Sequence, residues 1–138
     1  MKRLLVVAGI ALLSVGFAYR QPQPYRVAFD LTSRDTLDQK AVIRWIKEVT
    51  TSSPKAEIEV VMYAKGFELV MPERSAFVSD IKEAMKNPNV SFKVCAIALK
   101  NNNVTLSQLL PGVQAVPDGI RELVSKQQDH WGYIKVMH

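Results

Sequence analysis

The strongest constraint on this chain is an alternation. Short runs of β-forming residues take turns with segments of helical periodicity, and a chain so built folds as an α/β domain around a mainly parallel sheet. Residues 25–31 (YRVAFDL) are the first run. Thr36 and Gln39 stand at capping-box spacing, so a helix is expected from there. Val42, Trp45, Ile46 and Val49 then fall at i, i+3, i+4 and i+7, one apolar face. Residues 58–63 (IEVVMY) form the second strand, followed by a turn at Gly66 and a short helical turn over 67–71. Pro72 suits the first turn of a second helix, which buries Phe77, Ile81, Ala84 and Met85 and stops at Asn87 and Pro88.

The third run, 92–99 (FKVCAIAL), is apolar almost throughout, as in a strand covered on both faces. Residues 100–103 form a polar loop and 105–110 a short helix closed by Pro111 and Gly112. Residues 113–116 are the fourth strand. Asp118 caps a last helix with Ile120, Leu123 and Val124 turned inward, and 132–136 are the fifth strand. No internal repeat interrupts this order. Trp45, Trp131 and the methionines lie at helix or strand spacing and are expected in the core.

A chain of 138 residues with 48% apolar and 22% charged side chains builds one hydrophobic core without disulfides or a metal. Its first residues read differently. Lys2 and Arg3 precede an apolar run from Leu4 to Val15, and Gly16-Phe17-Ala18 offers small residues at the two places a signal peptidase reads. Residues 1–18 are therefore expected to be a cleaved export signal. The run is shorter than the ~20 residues that span a bilayer, so no membrane anchor is expected after cleavage. Residues 19–24 are a polar, proline-containing leader, and 25–138 the folded domain. The location expected is periplasmic or otherwise extracytoplasmic.

Cleavage removes two of the 18 basic residues and no acid, which lowers the net charge from +5 to +3. That is an ordinary solvated surface with no basic run and no aromatic stripe, and it argues against nucleic-acid binding. There is no G-x-G-x-x-G, P-loop or G-x-S-x-G. His130 and His138 show no metal-ligand spacing with each other or with Cys95. No cofactor and no metal is expected.

Cys95 is the one cysteine. In an oxidising compartment it has no partner in its own chain, so it is buried and inert, joined to another molecule, or a free reactive thiol. A parallel sheet collects ligands beyond the carboxyl ends of its strands. The residues there are Asp30 at the end of the first strand and Asp35 after it, Lys65 and Gly66 after the second, Cys95 at the third, and Pro117, Asp118 and Gly119 after the fourth. Lys65 and nearby backbone amides are candidates to favour a thiolate.

Several stretches carry a resemblance. Residues 27–35 (VAFDLTSRD), 56–61 (AEIEVV) leading to Gly66, 90–95 (VSFKVC), 109–119 (LLPGVQAVPDG), Glu122 and Leu123, Gln127 and Gln128, and 131–135 (WGYIK) stand in one order over nearly the whole domain. In that order the chain resembles the DsrE-like family of sulfur-relay proteins. The resemblance implies a three-layer α/β/α, flavodoxin-like domain, a homo-oligomer (trimer or hexamer), and a sulfur donor or acceptor as partner. It also implies that Cys95 carries sulfane sulfur as a persulfide. Where many relatives place an asparagine two residues after the cysteine, this chain has Ile97. A non-catalytic binding module of the same fold, with a structural cysteine, is the other reading.

Overall fold

A computed structural model describes residues 22–137. Residues 1–18, expected to be an export signal, and the first half of the leader lie outside the described residues. Among the described residues no helix is long and apolar enough to cross a membrane.

Five strands form one all-parallel sheet: β1 (Arg26–Leu31), β2 (Glu57–Met62), β3 (Val90–Cys95), β4 (Gln114–Val116) and β5 (Gly132–Lys135), in the order β4-β3-β2-β1-β5. That order differs from flavodoxin's while keeping three layers. Strand alternation sorts the side chains. Val27, Phe29 and Leu31 of β1, Ile58, Val60 and Met62 of β2, and Val90, Phe92 and Val94 of β3 enter the large core beneath α1 (Thr36–Ser52) and α2 (Val78–Ala84). Trp45 packs there against Phe29, ring centroids 5.8 Å apart. The opposite face is covered by α4 (Gly119–Gln128) over a small cluster of Ala28, Val61 and Leu123.

That second face is unusually polar. Glu59 is 2% exposed, yet it faces Lys126 of α4 at 2.9 Å and Lys93 of β3 at 3.6 Å. Lys126 also lies 4.3 Å from the centre of the Trp131 ring. Burial is the main cause that raises the Glu59 carboxyl above its ordinary 4.5; a hydrogen bond with Glu122 adds to it, and the two lysines oppose it.

Four local expectations need correction. The first helix is capped by Asp35, not Thr36: Asp35 Oδ1 accepts the Leu37 N–H at 2.7 Å. The second helix begins at Val78 rather than Pro72, because the Met71 carbonyl accepts the N–H groups of both Arg74 and Ser75 and closes a separate turn first. The third strand stops at Cys95, and residues 96–101 form a helix, α3 (Ala96–Asn101). The ladder has no partners further on: Val94 already pairs with Met62, and Cys95 with Val116, the last residues of their strands. Ala, Leu and Lys then favour helix. Finally, of the three α4 residues expected inward, only Leu123 is buried, while Ile120 and Val124 are exposed. Gly119, Leu123 and Lys126 share the inward side, because Gly119 must lie against the sheet.

Candidate functional site

The carboxyl ends of β3 and β4 diverge. After β3 the chain enters α3, whose Ala98 and Leu99 join the large core. After β4 it crosses to α4 on the other face. A parallel sheet opens a crevice where neighbouring strands send their connections to opposite faces. A cleft of about 330 Å³ lies there, lined by Cys95, Asp118, Tyr63, Asn102, Ile97 and Ile120 among others.

Cys95 ends β3 on its floor. The residue is 5% exposed and its thiol is free. Gly119, the first residue of α4, packs against Cys95 beside the cleft. A Cβ on Gly119 would stand 3.1 Å from the Cys95 Cβ and 3.3 Å from that of Tyr63, so glycine lets the helix start settle directly on the cysteine. Asp118 caps that helix as expected, its Oδ1 accepting the N–H of Ile120 at 2.9 Å and of Arg121 at 3.4 Å. Pro117 is exposed at the end of β4.

The other sequence candidates divide. Lys65 reaches the rim, where its ammonium donates to Asn102 Oδ1, and Asn102 Nδ2 donates to the Ala98 carbonyl at 2.7 Å. Gly66 serves packing: a Cβ there would fall 2.0 Å from the Leu31 carbonyl oxygen. Asp35 is the α1 cap and does not line the cleft. Asp30 is buried in a neighbouring cluster, accepting from Tyr133 Oη at 2.6 Å, Lys135 Nζ at 3.1 Å and Tyr63 Oη at 3.4 Å. Lys135 also donates to Thr32 Oγ1 at 2.9 Å.

Tyr63 joins the two groups, since its ring walls the cleft and its hydroxyl reaches Asp30. The hydrogen bond to Asp30, followed by burial and nearby negative charge, pushes the Tyr133 phenol up to about 12. Burial, then the Asp30 charge and hydrogen bond, raises Tyr63. Both therefore stay protonated donors at neutral pH. Sequence reasoning missed Tyr63, Tyr133 and Lys135 as partners of Asp30. The signal is spatial: β5 returns beside β1 with Lys135 opposite Asp30, a pairing between the first and last strands.

No protein-family model and no curated protein matches the chain. Two proteins of unknown function are among the solved structures that share its fold. A protein of unknown function from Methanobacterium thermoautotrophicum, MTH1491, is similar over 80% of this chain and 98% of its own, with 27% identity and a TM-score of 0.75. A conserved protein of unknown function from Bacteroides thetaiotaomicron, BT1422, is similar over 80% of this chain and 94% of its own, with 14% identity and a TM-score of 0.64.

Proposed function

We propose that this chain is an exported DsrE-like protein whose Cys95 takes up and passes on sulfane sulfur as a persulfide. The observation that carries the reading is the place of the thiol, at the carboxyl end of a central strand and on the floor of the crevice between β3 and β4. A thiolate there attacks a sulfane sulfur, a new S–S bond forms at Cys95, and the donor leaves with the electron pair of the bond that breaks. Return of the sulfur to an acceptor thiolate is the same step reversed. The chemistry calls on no metal or cofactor.

The proposed protein works outside the cytoplasm, after removal of residues 1–18, and as a trimer or hexamer. The exposed Tyr133 and Ile134 on the edge strand β5 and Val124 on α4 support an assembly, since they are apolar surface a second copy would cover. Light scattering at a trimer mass or a multiple of it is expected; a one-chain mass at micromolar concentration contradicts the assembly.

The low exposure of Cys95 favours a second reading, a binding module of the same fold with a structural cysteine. Mass spectrometry after exposure to inorganic polysulfide separates the two. The first reading expects added sulfur on the peptide that contains Cys95, and none on a folded Cys95→Ser variant. An unmodified Cys95 in the folded protein overturns it.

A further inference from the structure

The lining of the cleft around Cys95 holds one carboxylate and no cation. Its lining is mostly apolar: Ile97, Ala98 and Ile120 with the Tyr63 ring, of which Ile97 and Ile120 are 50% and 59% exposed. Asn101 and Asn102 are neutral, and Asp118 is the lone ionisable carboxylate in the lining. Asp118 also occupies the anion-binding feature of the site. Two N–H groups at the start of α4 that would otherwise greet an anion already donate to its Oδ1. The cation at the rim, Lys65, is held by Asn102.

We propose that this cleft selects uncharged, apolar sulfane sulfur, a ring or chain such as elemental sulfur, and disfavours sulfur oxyanions such as thiosulfate. The proposal rests on the reading that Cys95 carries sulfur. With the ring, the Cys95 thiolate adds to one sulfur: one ring S–S bond breaks, one S–S bond to Cys95 forms, and the electron pair of the broken bond remains as the negative charge of the new chain end. No proton, oxidant or reductant is needed. With thiosulfate, the thiolate takes the outer sulfur and sulfite leaves with the bonding pair. A dianion must then approach a thiolate and the Asp118 carboxylate together, and like charges repel. The neutral donor meets no such repulsion, and its surface matches Ile97 and Ile120.

The test loads reduced protein with dispersed elemental sulfur or with thiosulfate and follows sulfur added to Cys95 by intact mass. Each rate is divided by that of free cysteine with the same donor, which removes intrinsic reactivity. The expected result is a preference for elemental sulfur of about tenfold or more. Asp118→Asn, which keeps a cap of equal quality, should narrow that preference at least about threefold by speeding thiosulfate. Thiosulfate loading as fast as elemental sulfur, or a preference that Asp118→Asn leaves unaltered, overturns the selectivity while Cys95 is still seen to load. If neither donor loads Cys95 although free cysteine reacts, the sulfur-carrier reading itself falls, and the selectivity with it.

Discussion

Gly119 rests on Cys95: a Cβ on the glycine would stand 3.1 Å from the cysteine Cβ. The end of β3 and the start of α4 are pressed together at that point, and the contact sets both the rotation of α4 and the shelter of the thiol. Gly119→Val should therefore push the start of α4 away from the sheet. A destabilisation of about 1–3 kcal/mol is expected, with faster modification of Cys95 in the folded protein. Denaturant melts and thiol-reagent kinetics on the same variant check both. A variant with unchanged stability and unchanged Cys95 access contradicts the contact.

Glu59 supplies a pH dependence of defined sign. Its folded value lies above 4.5 because burial outweighs the help of Lys126 and Lys93, while Glu122 shares a hydrogen bond with it. The folded state then holds the proton more tightly than the unfolded chain. Stability from this group is full below 4.5 and declines as pH rises from 4.5 to the raised folded value. Across that window the wild type should lose stability relative to Glu59→Gln, and the difference should level off above it. Urea melts at a series of pH values measure this. A wild type that gains on the variant as pH rises contradicts it.

Tyr133 should be slow to ionise. Its hydroxyl donates to Asp30 at 2.6 Å and its phenol lies at about 12, against an ordinary 10.0. Spectrophotometric titration of the wild type minus Tyr133→Phe should lack a tyrosinate step near 10. Stability contributed by the phenol should be lost as pH climbs from 10 toward 12. Near neutral pH, Tyr133→Phe removes one donor from a buried carboxylate and should cost about 1–2 kcal/mol. A difference step centred on 10 contradicts this arrangement.

Much of the fold is legible in the residues because period-2 and period-3.6 patterns report local burial directly. The runs at β1 and β2 follow from that alone, and the Asp118 cap from the preference of a carboxylate for a helix start. What the patterns miss depends on neighbours. The residues after Cys95 are as apolar as those before it, and only the end of the β2 and β4 ladders turns them into a helix. Ile120 and Val124 match an inward face as well as Leu123 does, and the Gly119 contact decides between them. Within the site, Cys95, Asp118 and Gly119 were readable as strand ends. The Asp30 cluster was not, because Tyr63, Tyr133 and Lys135 converge only once β5 pairs with β1.

To carry sulfur, Cys95 must be a working thiol in the folded protein. The most direct measurement is its alkylation by iodoacetamide under native conditions, compared with the same protein unfolded in guanidinium. A residue 5% exposed on a cleft floor, if it carries sulfur, should react within the native state. Its Cys95→Ser variant should melt within about 1 kcal/mol of the wild type. A native thiol that stays unmodified until the chain unfolds, together with a Cys95→Ser variant destabilised well beyond that, would contradict the sulfur-carrier account and leave a packed structural cysteine.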